Sequence, residues 1–111
     1  MRVRITSTKA NYYLDDRGYA LPILGGISHQ TVAGFLQTSS SGGSIFHGMA
    51  DSILSIEFVD GTGTSRIVQK GTDEFNAAVV SMGLFGIVTF VTFKLGQRYY
   101  VQGIDTTEKP N

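Results

Sequence analysis

The sequence LPILGGISHQTVAGFLQTSSSGGSIFHGMAD, residues 21 to 51, is rich in glycine and decides how the rest of the chain is interpreted. Its segment Thr38 to Ser44 (TSSSGGS) contains no large side chain, so it cannot build a hydrophobic core. Such small residues bring backbone N–H groups and hydroxyls close to a neighbour, and these donors suit phosphate oxygens. Glycine and serine runs are also typical of flexible linkers. The flanking segments are apolar and patterned, which favours a loop inside a domain.

Before this loop, residues Thr31 to Leu36 (TVAGFL) are predicted to form a short buried helix, in which Gly34 allows a neighbour to approach closely. A helix between two such loops would hold a phosphorylated cofactor. Two other phosphate-binding motifs are excluded. The run from Gly61 to Arg66 lacks the third glycine and the helix of a dinucleotide fingerprint, and no lysine follows Gly42 and Gly43 as in P-loop proteins.

Length and composition set outer bounds on the function. With 111 residues, the chain forms one domain at most. Its net charge is zero, only 16% of residues are charged, and no basic cluster exists, which argues against nucleic-acid binding. There is no cysteine and therefore neither a disulfide nor a thiolate metal site. No secretory signal is predicted at the N-terminus, which favours a location in the cytoplasm or at the periphery of an organelle membrane.

The first half of the chain is predicted to begin with a strand, Arg2 to Thr6. A helix capped by Thr8 follows and ends at Arg17, with Gly18 in a left-handed conformation. The predicted apolar face of this helix consists of Ala10, Tyr13 and Leu14. Pro22 then extends the chain toward the loop.

The pattern of the second half of the sequence predicts an α+β fold, in which helices flank a mostly antiparallel sheet. A central strand at Ile53 to Val59, apolar on both faces, forms a hairpin with Ser65 to Gln69. Thr72 caps a helix from Asp73 to Ser81. The predicted core face of that helix is Phe75, Ala78, Val79 and Met82. Two strands follow, Leu84 to Leu95 and Gln97 to Gln102.

The uncharged stretch between Glu74 and Lys94 is near the length that a transmembrane helix requires. Gly83 and Gly86 interrupt its centre, and GIVTFVTFKL alternates in the manner of a strand. The stretch is therefore predicted to form a helix, a turn and a strand, and no transmembrane span is expected.

Four blocks carry a family resemblance: RGYALPILGGIS, QTVAGFLQTSSSGG, GMADSILSIEFVDGTG and FNAAVVSMGLFGIVTFVTFKL. In order and spacing they resemble the second half of the FAD-binding domain of the vanillyl-alcohol oxidase/p-cresol methylhydroxylase (PCMH) flavoproteins. The aldonolactone oxidase and alditol oxidase branch is the most similar, and the resemblance spans Ile5 to Leu95. It implies that residues 1–104 are the second subdomain of a PCMH-type FAD-binding domain, followed by a polar tail at 105–111.

The resemblance also implies which residues contact FAD. The loop would contact the flavin and the pyrophosphate, the helix would line the cofactor through backbone atoms, and a later segment would hold the adenine end. The implied cofactor-binding residues are Gly26, Ile27, Thr31, Val32, Ala33, Gly34, Thr38, Ser39, Ser40, Ser41, Gly42, Gly86, Ile87 and Val88. Ser41 stands where the family often has histidine. His29 is interpreted as a surface residue and His47 as a packing or hydrogen-bonding residue.

By the same resemblance, the chain is part of a flavin-dependent oxidoreductase that oxidises a sugar lactone or polyol. The first subdomain and the substrate domain are missing, so no catalytic residue and no metal ligand is assigned, and the isolated chain is expected to be inactive. The alternative is a non-catalytic remnant that acts as an interaction module or as half of a split protein. Because the predicted helices can cover one side of the sheet only, an exposed apolar face and self-association are expected.

Overall fold

The computed structural model describes residues 5–104 and 106, so the predictions for residues 2–4 and for nearly all of the tail 105–111 lie outside it. The fold is α+β, as predicted, with antiparallel strand pairs throughout. A 3-10 turn at Met49–Ser52 precedes the second strand. The helices and strands are α1 Ser7–Asp15, β1 Tyr19–Ala20, α2 Val32–Gln37, β2 Ile53–Val59, β3 Ser65–Gln69, α3 Asp73–Val79, β4 Ile87–Phe93 and β5 Gly96–Gln97.

The larger sheet has the order β3-β2-β4, so β2 is central as its apolar sequence predicted. The hairpin between β2 and β3 places Ile56 opposite Val68 and Glu57 opposite Ile67. Strand β4 runs antiparallel along the other edge of β2, with Val59 opposite Ile87. The second sheet pairs only the two residues of β1 with the two of β5.

The core lies between one face of the larger sheet and two short helices. Each helix is capped by the preceding threonine, whose side chain accepts a backbone N–H: Thr31 from Gly34 at 3.2 Å, and Thr72 from Phe75 at 3.2 Å. Phe35 and Leu36 of α2 belong to the same buried cluster as residues of all three strands and of α3. The buried cluster contains Ile23, Phe35, Leu36, Ile53, Ile56, Phe58, Val68, Phe75, Ala78, Val79 and Val91.

Helix α1 differs from its prediction at both ends and on one face. Its N-cap is Thr6, not Thr8, because the Thr6 hydroxyl accepts the Lys9 N–H. The helix ends at Asp15, and Gly18 has the predicted positive φ of 77°. Tyr13 was wrongly assigned to the buried face: its ring is exposed, and the Arg17 guanidinium lies 3.7 Å from the ring centroid.

The segment after α3 also departs from prediction. The helix stops at Val79, and Met82 has a left-handed φ of 49° and is 73% exposed, so it is not part of the core. Strand β4 is shorter than the predicted Leu84 to Leu95 and is exposed over much of its length. The prediction of a helix, a turn and a strand is nevertheless confirmed, and no helix in the described ranges is long and apolar enough to cross a membrane.

The larger sheet has one uncovered face in the part of the chain that the structure describes. Helices α2 and α3 pack on the Ile56 side, so helices cover one side of this sheet, as predicted. On the opposite face, Ile67 is 64% and Ile87 is 76% exposed. The predicted last strand, Gln97 to Gln102, is reduced to the two-residue β5 and adds no cover there.

Asp60 organises the turn between β2 and β3, and this makes stability depend on pH. Its carboxylate accepts hydrogen bonds from the Thr62 hydroxyl and from the N–H groups of Thr62 and Thr64, and these bonds lower its pKa. A lowered native pKa stabilises the fold above the unfolded-state pKa, and this contribution is lost as the pH falls through the native value.

We therefore expect the free energy of unfolding to fall as the pH drops below about 4. The part of this decrease that comes from protonation of Asp60 should be absent in the Asp60→Asn variant. Urea titrations of both proteins at several pH values measure this difference. An unchanged pH profile in the variant would contradict the role assigned to the carboxylate.

Candidate functional site

The serine- and glycine-rich loop (Thr38–Ser44) begins where α2 ends, and its first residues are fixed to that helix. The Thr38 hydroxyl donates to the Gly34 carbonyl at 2.8 Å. The N–H groups of Ser39 and Ser40 donate to the carbonyls of Leu36 and Phe35, each at 3.1 Å. Ser39 adopts a positive φ of 51°, which turns the chain away from the helix axis.

Gln30, which the sequence analysis did not identify, joins this loop to the segment before α2. Its Oε1 accepts the Ser40 hydroxyl at 3.1 Å, and its Nε2 donates to the Thr38 hydroxyl at 3.4 Å. Two of the hydroxyls assigned to a cofactor are thus already hydrogen-bonded within the chain. No sequence signal identifies such a glutamine, because its position next to the Thr31 cap is compatible with a solvent-exposed side chain.

The second part of the loop is shaped by its own serines. The Ser41 hydroxyl accepts the Gly43 N–H, and the Ser44 hydroxyl accepts the N–H groups of Phe46 and His47, each at 3.1 Å. These local bonds are the turns that serine forms with the backbone two or three residues ahead. The loop is therefore a defined turn structure and not an unstructured linker.

A cavity of about 250 Å³ opens beside this loop. Within the described ranges, the backbone N–H groups of Ser41, Gly42 and Ser44 make no hydrogen bond. Unpaired N–H groups beside a polar cavity are suited to anionic oxygens. The cavity is lined by Ile23, Ser39, Ser40, Ser41, Ser44, Ile45, Phe46, His47, Gly48 and Asp51.

Gly42 is required by the fold itself. A Cβ atom built on Gly42 would overlap the carbonyl oxygen of Leu24, so the loop can lie against residues 23 and 24 only with glycine here. Gly34 is less constrained: its Cβ would lie 3.3 Å from the Thr31 hydroxyl. At Gly26, a Cβ would meet no atom within 4 Å of the described structure.

The other residues assigned near α2 have mixed environments. Val32 is buried and its N–H donates to the Ile5 carbonyl at 3.0 Å, while Ala33 is half-buried beside the core. Ile27 is exposed, and so is Thr31, whose hydroxyl caps α2. Both histidines are exposed; His47 lines the cavity, and the His29 surface assignment is confirmed.

Gly86, Ile87 and Val88 lie apart from the cavity. Ile87 pairs with Val59 at the end of β2, whereas Asp51, which lines the cavity, precedes the start of that strand. At a rise of ~3.3 Å per residue, the two places are separated by roughly 20 Å. Gly86 has a φ of 139°, and its Cβ would overlap the Val59 carbonyl oxygen. A ligand touching both groups would have to be extended along the molecule.

The sequence of this chain is similar to one segment of several longer fungal proteins. A Neurospora crassa relative is 39% identical over 102 residues, which is 86% of this chain and 18% of that protein. The D-arabinono-1,4-lactone oxidase of Saccharomyces cerevisiae is 35% identical over 88 residues, 77% of this chain and 17% of the enzyme. That of Candida glabrata is 36% identical over 90 residues, with 78% and 17% covered. The chain thus spans less than a fifth of these relatives, and no protein-family model matches it.

Among solved structures, two of alkyldihydroxyacetonephosphate synthase have the same fold. They superpose with TM-scores of 0.74 and 0.75 over 86% and 87% of this chain, at 24% sequence identity. The chain covers 18% and 20% of those structures. At this identity the likeness concerns the fold.

Proposed function

We propose that this chain is the FAD-binding portion of a flavin-dependent oxidoreductase. It is a homologue of one segment of the D-arabinono-1,4-lactone oxidases, and it has the PCMH-type FAD-binding fold. The sequence similarity, which extends over 86% of this chain at 39% identity, carries the proposal. The substrate class proposed for the whole protein is a sugar lactone, after the printed name of the relatives. This chain supplies cofactor placement.

The geometry beside the loop supports a phosphate-containing cofactor. Ser41 and Ser44, whose N–H groups are unpaired within the described ranges, line the cavity, and the serines of the loop hold its shape. A pyrophosphate is the part of FAD that needs such donors. When bound, FAD supplies the hydride acceptor, while the protein contributes binding and orientation. The proposed second contact, Gly86 to Val88, lies far enough away to meet the other end of an extended dinucleotide.

Ser41 offers a charge test that leaves the loop intact. In a Ser41→Asp variant, the carboxylate can still accept the Gly43 N–H, because aspartate forms the same local turn as serine. Its negative charge would repel a pyrophosphate, so we expect the Kd for FAD to rise about tenfold or more. The matched control is Ser41→Asn, which forms the turn without the charge and should keep the wild-type Kd. Equal FAD affinity in both variants, measured by quenching of flavin fluorescence, would contradict the proposal that this loop binds the pyrophosphate.

A second candidate function is an interaction module, favoured by the uncovered face of the β3-β2-β4 sheet. Ile67 and Ile87 flank the central strand there and are largely exposed. Apolar side chains exposed on an uncovered sheet face support a surface that binds a partner or a second copy.

We expect the chain to self-associate at tens of micromolar, an order-of-magnitude working concentration, and the Ile67→Lys variant to associate less. Gln69 lies two residues along the same strand on the same face, so Gln69→Lys adds the same charge without removing an apolar side chain. Sedimentation velocity compares the three proteins. A wild-type chain that stays monomeric would contradict an association surface on this face.

A further inference from the structure

Gln37, the last residue of α2, is a buried polar side chain with three hydrogen-bond partners from the end of α3 and the turn after it. The residue is 9% exposed. The Nε2 donates to the Ala78 carbonyl at 3.3 Å, and the Oε1 accepts the Ser81 hydroxyl at 2.7 Å and the Gly83 N–H at 3.0 Å. A buried amide satisfied on both sides fixes the two segments relative to each other.

The segment held by Gln37 has an unusual backbone. Met82 and Gly83 adopt consecutive positive φ values of 49° and 82°, and a left-handed methionine costs energy that neighbouring contacts must offset. The Gly83 N–H bond to Gln37 and the Ser81 hydroxyl bond lie on both sides of Met82. Gln37 therefore stabilises this turn directly.

From this turn a short series of contacts leads to β4. The Gly86 N–H donates to the Gly83 carbonyl at 3.3 Å, and Gly86 then packs against the Val59 carbonyl at the end of β2. On its other side, Gln37 is covalently joined to Thr38, where the serine- and glycine-rich loop begins. One side chain thus lies between the two segments proposed to contact the cofactor.

We infer that Gln37 is a positioning residue, which sets Gly83 to Val88 relative to the serine- and glycine-rich loop. The effect of Gln37 on FAD binding rests on the proposed function. The effect of Gln37 on the relative position of the two segments is a property of the chain without ligand. An apolar residue at position 37 would leave the Ala78 carbonyl and the Ser81 hydroxyl without this partner in a buried place, and it would remove the Gly83 N–H bond in a partly buried one. The left-handed turn would lose its support, and Gly86 to Val88 would lose a fixed position.

The first test is amide hydrogen exchange of the full chain without ligand. In Gln37→Leu, the amides of Gly83 and Gly86 should exchange at least about tenfold faster than in the wild type, while those of the β2–β3 hairpin change much less. Gln37→Glu keeps an acceptor for Ser81 and Gly83 and should recover part of the protection. Val68→Ala, a core change in the hairpin, is the matched control and should not act selectively on the turn. Exchange in Gln37→Leu that rises equally in the hairpin and the turn would overturn the inference.

The second test is FAD titration of the same four proteins. We expect Gln37→Leu to raise the Kd about tenfold, Gln37→Glu to raise it less, and Val68→Ala to leave the affinity of the folded fraction unchanged. If the wild type binds no FAD, the proposed function fails, and the exchange experiment still decides the role of Gln37. If the wild type binds FAD and Gln37→Leu binds it equally well, the positioning role is overturned while the proposed function stands.

Discussion

Replacing Gly86 by alanine is expected to destabilise the chain by about 4 kcal/mol, because two costs act at one residue. At a φ of 139°, an L-residue is strained by ~1–3 kcal/mol. The new Cβ would also overlap the Val59 carbonyl, so β4 would have to move away from β2. Overpacking of this kind adds ~1–3 kcal/mol.

Urea denaturation followed by circular dichroism measures this loss. Gly61→Ala is the matched control, since a Cβ there meets no described atom within 4 Å and its φ is not positive, so its stability should stay within about 0.5 kcal/mol of the wild type. A Gly86→Ala variant as stable as this control would show that β4 does not begin in the arrangement described.

The second large effect is expected at Gly42. Alanine here would place a Cβ onto the Leu24 carbonyl oxygen, and the loop or the segment at residues 23 and 24 would have to shift. Because Ile23 belongs to the buried core, we expect a loss of about 2–3 kcal/mol.

Gly26→Ala is the matched control in the same region, with open space around the new Cβ and an ordinary φ. Denaturation curves of the two variants should differ clearly, and coincident curves would contradict the close packing of the loop. Loss of FAD binding in a Gly42 variant would by itself say little about the cofactor, because the fold requires this glycine. The charge substitution at Ser41 separates the two roles.

The β2–β3 hairpin was predictable to the residue from its sequence. An apolar run, an Asp-Gly turn and a second β-branched run specify an antiparallel pair locally, and the observed bounds agree with the predicted ones. The cap at Thr72 was predicted for the same reason, since it depends on a bond to the backbone three residues ahead. Thr31 was predicted to be the first residue of α2, and the structure shows it as the cap of that helix.

The exposure of β4 and of Met82 was not predictable from local pattern. An alternation of β-branched and aromatic residues indicates a strand, but it does not state whether another element covers each face. Met82 falls at helical spacing from Val79, yet the chain leaves the helix first because the Gln37 contacts support a left-handed turn. The exposure of β4 and of Met82 therefore depends on which residues distant in sequence pack against them.

The candidate site shows the same division. The small residues at positions 38–44 predicted that the backbone lies close to a neighbouring group. At Gly42 that neighbour is the backbone of this chain, the Leu24 carbonyl. Gln30 and Gln37 could not be identified, because a glutamine carries no periodic or spacing signal and usually lies in solvent. The sequence relatives agree with the family resemblance and the solved structures agree with its fold. The resemblance implies a flavin cofactor, and the local pattern left the class of cofactor open.

The most direct test of the proposed function is the visible spectrum of the purified chain after incubation with excess FAD and removal of free cofactor by gel filtration. The proposed function predicts a flavin absorption band that elutes with the protein, and a weaker band when Ser41→Asp replaces the wild type. Riboflavin, which lacks the phosphates, should be retained less than FAD. A colourless wild-type protein that is folded by circular dichroism would contradict FAD binding by this chain.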